Sequence, residues 1–467
     1  MKKLLIGFLA VGLIMGFAMT ASAQPNIKAS GQLYMYGTYN DNMSLRNGGD
    51  SRANVANRMR IQFEIQVQEG LKLTTRFDAL ERAWGQQPTV LTQAFYNVRP
   101  ENNISWERAY VTFNALYGIF DVGYKQSRVW GTCAFCDDYD SDPGIQYRYL
   151  MGPWTFGLNW DKRAGTDAAF ANGLYPNQQG EGSATQGGQS LPGTDNDHDV
   201  YQIYAIYRWA TGQAGLRFEY DYDAAAGNLN GTYTAGFNAP VPNNTAITSP
   251  FGAVALGSYT TTFYEIAPYV QWKFGPFDME GELRYVWGTI DTETRSDIDR
   301  DGYSLYLMGK YTMGAFYGGL EFAYITGDDP NTTDKWEAGQ PGGQAWDPLL
   351  MFGNYWFTKY HGAMGGAIGP NESNLIMFKP FVGWKVNPQL EVVLQYAWLK
   401  ADEKPAGFVD DAYGSEIDLY ATYKLYNNLS YTVGFGYFMT GDYFKGTNPN
   451  ANLDDNYLVM NALNFTF

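Results

Sequence analysis

Cysteine and histidine are nearly absent from this chain: two of each occur in 467 residues. Each scarcity closes off a class of protein. A histidine-assisted nucleophile would have to be built on His198 or His361, both near loop-like surroundings, and neither G-x-S-x-G nor H-E-x-x-H occurs, so no catalytic residues and no enzyme are expected. Cys133 and Cys136 are too few for a zinc site and lack the strand–helix context of a thioredoxin-like redox pair. In an oxidising compartment a local disulfide between them is the first expectation and a pair of free thiols the second. Basic residues are also short, 32 against 48 acids, giving a net charge of −16, which argues against nucleic acid as a partner. Past residue 23 no apolar run approaches the roughly 18 residues that a membrane-spanning helix needs.

What is present begins with a leader. Lys2 and Lys3 precede an apolar stretch, Leu4 to Met19, and Ala21-Ser22-Ala23 reads as a cleavage site. Residues 1–23 are therefore expected to be a secretory signal, with Gln24 as the mature N-terminus. A retained anchor is the alternative reading, but the stretch is short for a span and the polar Gln24-Pro25-Asn26 follows it. Without the two lysines the chain is two charges more negative. Aromatic residues make up 17% of the sequence, with 37 tyrosines, and tyrosine and tryptophan suit a membrane–water boundary. An exported chain with many aromatic strand formers and no spanning helix fits a closed transmembrane β-barrel, which satisfies its backbone internally.

Period-two alternation supports this. From Arg58 to Gln68 every even position is polar and every odd one apolar, and a strand puts these sets on opposite faces. The pattern recurs at 216–223, 279–287 and 416–425 without helical interludes. Charges at every second residue are expensive in a dry core and ordinary in a wet lumen. About eighteen such segments can be placed between residues 27 and 467. Every second one is followed by a tight turn: Glu69-Gly70, Leu116-Tyr117, Gly152-Pro153, Thr211-Gly212, Gly275-Pro276, Met313-Gly314, Asn387-Pro388 and Asn427-Asn428. The others lead into longer loops. Residues 24–467 are accordingly expected to form one domain: an all-β, antiparallel transmembrane barrel of about eighteen strands, with short periplasmic turns and long extracellular loops. The first strand starts almost at the cleavage site, which leaves no room for a plug domain. Trp209, Trp272, Phe274, Trp384 and Tyr423 precede tight turns, and Trp84, Trp130, Trp287, Tyr324 and Trp398 approach the long loops, as two aromatic girdles would. The terminal strand, ending Leu463, Phe465 and Phe467, looks like the signature read by the outer-membrane assembly machinery.

Several stretches resemble the alginate-export family of outer-membrane pores, which form eighteen-stranded barrels: Glu107-Arg108-Ala109-Tyr110-Val111, Phe120 through Gln126, Ile325-Thr326-Gly327-Asp328-Asp329, Gly414 through Leu419, and Tyr437 with Gly441-Asp442-Tyr443. The resemblance implies a pore, and in that family an Arg/Lys-rich lumen that attracts an anionic polysaccharide. Here the inward charges nearly balance. Alternation places Arg58, Arg60, Glu64, Lys72, Arg76, Arg108, Lys125, Arg148, Arg217, Glu219, Asp221, Glu280, Glu282, Arg284, Glu416 and Asp418 on the pore lining. The early strands are basic, while the strands around 219–223 and 280–282 are acidic. Two readings follow: a transverse field across the lumen that sets ion preference, or charges that pair with neighbours and stiffen the wall.

The expected activity is passive diffusion of small hydrophilic solutes or ions, with export of an anionic polysaccharide and a structural or adhesive barrel as alternatives. No cofactor is expected. Asp297-x-Asp299-x-Asp301-Gly302 resembles the start of a calcium loop, but Met308 stands where the bidentate glutamate belongs. A looser Ca²⁺ site or a solvated acidic loop are the readings left, and Asp137, Asp138, Asp140 and Asp142 form a weaker candidate. Loops 163–198, 224–260 and 327–373 are long enough that one or more could fold inward as a constriction or remain external. Expected partners are outer-membrane lipids and lipopolysaccharide, the assembly machinery, and the solute itself, with the chain a monomer or a homotrimer.

Overall fold

The computed structural model describes residues 25–42, 44–84, 104–127, 129–132, 134–136, 141–164, 197–224, 259–292, 296–340, 346–354 and 373–467. Residues 1–24, where the expected signal falls, and most of loops 163–198 and 224–260 lie outside the described residues. So does Cys133, and with it the Cys133–Cys136 pairing.

Alternation becomes strands in chain order: β1 (Asn26–Asn40), β2 (Arg52–Gln68), β3 (Leu71–Ala83), β4 (Ile104–Ala115), β5 (Gly118–Gln126), β6 (Ser141–Met151), β7 (Trp154–Ala164), β8 (His198–Trp209) and β9 (Gly212–Asp223). Then follow β10 (Tyr259–Phe274), β11 (Phe277–Thr292), β12 (Ile298–Met313), β13 (Phe316–Ile325), the two-residue β14 (Lys335–Trp336), β15 (Leu375–Lys385), β16 (Leu390–Lys400), β17 (Ala412–Tyr426), β18 (Leu429–Thr440) and β19 (Asn456–Thr466). All but β14 are barrel strands, each antiparallel to its chain neighbours. The barrel closes where β1 pairs with β19, Gln32 opposite Thr466. The backbone bonds Gly31 N to Phe467 O (2.9 Å) and Phe467 N to Gly31 O (3.0 Å) seal the periplasmic end of this seam. Eighteen strands in a closed ring leave no unpaired edge.

The burial pattern is inverted relative to a soluble domain. On β17, Glu416 and Asp418 are fully buried, while Ile417 is 39% and Leu419 is 49% exposed. The apolar set faces outward, where lipid replaces water, and the charged set faces the lumen. Aromatics ring both ends of the outer face, with Trp154, Trp272 and Trp384 near the tight turns and Trp84, Trp160 and Trp398 near the loops. Trp130 belongs to neither ring: it is 5% exposed and lies inside the barrel.

The tight turns fall where the sequence places them, except that two slide by one residue, to Ala210-Thr211 and Gly314-Ala315. At Leu116-Tyr117 both residues have positive φ (49° and 61°). That backbone matches the twist of a two-residue hairpin but strains residues bearing a Cβ. The Tyr147 hydroxyl donates to the Leu116 carbonyl at 2.8 Å.

On the extracellular side several strands run further than alternation indicates. β11 and β12 remain paired up to Ile290 opposite Ile298. Asp299 and Asp301 therefore sit on a strand, not in a loop. They stand opposite Thr289 and Trp287, exposed on the outer face.

Candidate functional site

Two segments leave the wall and enter the lumen. The first, 127–136, follows β5. Trp130 packs its ring between Tyr204 of β8 and Tyr269 of β10, with centroids 5.5 and 5.1 Å away. Its Nε1–H donates to the Ala267 carbonyl at 2.9 Å, and the Arg217 guanidinium lies 5.5 Å over the ring. Two residues on, the Thr132 amide and hydroxyl both donate to Glu282 Oε2, at 2.6 and 2.9 Å. Gly131, at φ +71°, permits this turn, and a Cβ there would run into the Glu282 carboxylate. Arg284 Nη2 then donates to the Phe135 carbonyl at 2.5 Å, and the Phe135 ring meets Tyr306 of β12 at 6.3 Å. A short loop rooted at β5 thus reaches to the inner face of β10–β12.

The second segment, 346–354, belongs to the loop between β13 and β15. Its backbone amides bind carboxylates standing on β17. Leu350 N donates to Asp418 Oδ2 at 3.1 Å. Met351 N and Phe352 N donate to the two oxygens of Glu416, at 2.8 and 2.9 Å. Lys379 Nζ and Gln395 Nε2 hold the Pro348 carbonyl at 2.9 and 3.2 Å. Leu349, Met351 and Phe352 are buried against the inward side chains of the wall, in a cluster that takes in Tyr36, Leu375, Phe438 and Met460. Trp346 joins Tyr306 at 5.7 Å, so both segments pack on the same tyrosine. Of the three long loops, 327–373 is the one whose described part turns inward.

The charges on the remaining wall are heavily paired. Arg60 holds Asp78 with two bonds of 2.7 Å, and Arg58 approaches the same carboxylate at 3.9 Å. Lys72 meets Glu64 at 3.2 Å, Arg76 meets Glu107 at 3.7 Å, and Arg148 meets Asp121 at 2.5 Å. Lys125 and Asp161 form a buried pair at 2.5 Å. Arg217 pairs with Glu265 and reaches Glu219 at 3.7 Å. Asp221 is shared by Arg163 at 3.3 Å and His198 at 2.9 Å. Arg108 donates to the Ser141 hydroxyl at 3.4 Å. Glu280 lines the cavity below the second segment. Glu282 and Arg284 are bonded to each other at 3.1 Å as well as to the first segment.

Two groups stand out among the residues chosen by alternation. One remains around open space. A cavity of about 510 Å³ is walled by Tyr110, Tyr204 and Trp130 together with Lys72, Lys125, Arg148, Arg208 and Arg217, and Asp121 is its one carboxylate among the described residues. The other group, Glu282, Glu416 and Asp418, is covered by the inward segments. Alternation finds their face but not what covers them. The second segment carries a legible signal, since Leu349-Leu350-Met351-Phe352 is an apolar run inside a loop otherwise rich in Gly, Asn and Pro. The first carries only a glycine-flanked tryptophan.

At the extracellular mouth the loop after β13 doubles back before entering the lumen. The Gly339 amide donates to the Thr326 carbonyl at 2.8 Å, and β14 pairs in parallel with Asp299–Arg300 of β12. The Arg300 guanidinium stacks 4.1 Å over Trp336. Burial pushes the Asp328 carboxyl in this fold up to about 7. Among the described residues no three His, Cys, Asp or Glu side chains converge as a metal cage. Asp297 instead accepts the Thr292 amide at 3.0 Å.

No curated protein matches the chain. Among solved structures it is similar to the anion-selective porin of Comamonas acidovorans (11% identity, 95% of this chain and 100% of that one, TM-score 0.42). It is also similar to OccAB4 of Acinetobacter baumannii (11%, 96% and 100%, 0.48) and to OpdK of Pseudomonas aeruginosa, solved with vanillate (10%, 94% and 98%, 0.49). The family model for Gram-negative porins matches residues 10–443. A closed barrel of eighteen strands with a wet, charged lumen, matched over most of its length by that model, is an outer-membrane channel, and the chain belongs to the Gram-negative porin family.

Proposed function

We propose that this porin passes small hydrophilic solutes passively, without a catalytic step, and that its lumen favours anions. The observation that carries the reading is the lining of the open cavity along β3–β9, where five cations stand with one carboxylate among the described residues. Glu265, Glu282, Glu416 and Asp418 are all buried. They are satisfied by Arg217, by Thr132 and Arg284, and by the backbone amides of 350–352. The cavity along β3–β9 keeps Lys72, Arg148 and Arg208 at its surface. Ion preference follows the local potential of the path the ion takes, not the net charge of the chain.

Bilayer recordings in a KCl gradient test this. Wild type is expected to give a reversal potential on the anion side. The combined Lys72→Glu, Arg148→Glu and Arg208→Glu variant should move it toward cations. Cation preference in the wild type would overturn the reading. The same cationic wall supports a second reading, passage of an anionic polysaccharide as in the alginate-export pores. Block of the current by a uronate oligomer would favour it, and indifference to the oligomer would leave the small-solute channel. Cleavage of the leader after Ala23 is part of the proposal and is read by mass spectrometry of the mature N-terminus. Cross-linking in the membrane decides between monomer and homotrimer.

A further inference from the structure

The doubled-back segment at the mouth contains a carboxylate with no assigned work. Asp328 is 1% exposed. Its Oδ1 accepts the Glu337 amide at 2.9 Å, while Oδ2, equally shut away from solvent, meets no hydrogen-bond donor. Buried polar atoms are ordinarily satisfied, and a bare carboxylate oxygen asks what occupies its free side. A side chain within hydrogen-bonding reach of Asp328 is itself a carboxyl group, that of Glu337. The Glu337 carboxylate accepts a bond of 3.0 Å from the Thr332 hydroxyl, which also lies 3.0 Å from the Asp329 carbonyl. Glu403, in the loop after β16, feels Asp402, Asp329 and Glu337, so further negative charge lies on the far side of Glu337. Arg300 is the cation that faces Asp328, and its Nη1 is engaged with the Trp336 carbonyl at 2.9 Å.

We propose that Asp328 and Glu337, with the Thr332 hydroxyl, bind a Ca²⁺ ion at the extracellular mouth of the barrel. The ligands are hard oxygens in an irregular arrangement, which suits Ca²⁺ better than Mg²⁺ with its strict octahedron. With two carboxylates, and water completing the shell, the affinity belongs in the range of extracellular modules, roughly 10⁻⁴–10⁻³ M. The ion ties 328 to 337 across the doubled-back chain, and therefore sets where the following residues enter the lumen as the inward segment 346–354.

The test uses the full-length folded protein in detergent, with terbium luminescence sensitised by tryptophan and competed by CaCl₂. Saturable binding is expected, weakened about tenfold or more in Asp328→Asn. Should that variant fail to fold, Glu337→Gln, on a half-buried side chain, carries the same expectation. Equal binding by a folded Asp328→Asn protein overturns the proposal. So does absence of competition by CaCl₂ up to about 10 mM, which would mean that the two carboxylates hold a shared proton only.

Discussion

The inner wall of the barrel divides into two arcs built on the same alternating plan. Along β2–β9, cations and carboxylates pair with each other across neighbouring strands and remain around open space, as Lys72 does with Glu64 and Arg148 with Asp121. Along β10–β18, Glu265 and Glu321 keep wall partners in Arg217 and Lys379, but other carboxylates receive donors from chain that has come in from the loops, as Glu282 does from Thr132 and Glu416 from Met351 and Phe352. A charge paired with its strand neighbour stiffens the wall, whereas a charge paired with a loop also decides where the water goes. The lumen is narrowed from the acidic side, and the transverse charge asymmetry becomes a difference in accessibility.

The largest expected effect comes from breaking the second arc. The double variant Glu416→Ala/Asp418→Ala removes three bonds from backbone amides to carboxyl oxygens, each worth about 0.5–1.5 kcal/mol. Segment 346–354 should then leave the wall, and single-channel conductance should rise. Unchanged conductance and unchanged current noise would show that the apolar packing of Leu349 to Phe352 holds it alone. In the first arc, Lys125→Ala leaves Asp161 buried without its cation, at a cost of about 3–5 kcal/mol. That change should lower the unfolding midpoint in detergent while leaving conductance nearly unaltered. A gain in conductance would erase the distinction between the arcs. Thr132→Val sharpens it further. Losing one hydroxyl bond to Glu282 should cost about 1–3 kcal/mol and add gating noise from segment 127–136 without moving the mean current far. The smallest effect is expected outside both arcs. Tyr117→Gly relieves a left-handed residue in the periplasmic turn and should raise the unfolding midpoint by the equivalent of about 1 kcal/mol, with channel properties untouched.

Much of this was legible because lipid and water impose opposite demands on alternate residues. The strand at 118–126 and that at 429–440 match alternation to the residue, and six of the eight tight turns carry Gly, Pro or Asn at the bend. Leu116-Tyr117, with no such residue, was legible by spacing alone. What alternation cannot convey is depth of cover. Glu416 and Arg148 carry the same signal in sequence, but one is sealed beneath Met351 and the other is 35% exposed. That difference is made by residues about 65 positions from Glu416, in a loop with no period of its own. The aspartates at 297–301 illustrate the same limit, since a ligand-like spacing became two outward residues once β11 and β12 stayed paired above the membrane.

The seam between β1 and β19 has a consequence for how the barrel comes to exist. Gln32 and Asn464 share a hydrogen bond across 432 residues of chain, whereas each hairpin joins residues a few positions apart. Closing so long a loop carries an entropy cost that local pairing does not. The hairpins are therefore able to assemble in order along the chain, and the seam can form only after both its edges exist. Topologically the ring has no first strand, and the genetic ends mark where closure happens last. Joining the ends and opening the chain at Glu69-Gly70 should move that final event to the β2–β3 boundary. Pulse-labelled heat-modifiability would follow it, and a permuted chain that never closes would show that the terminal strand is needed at its native end.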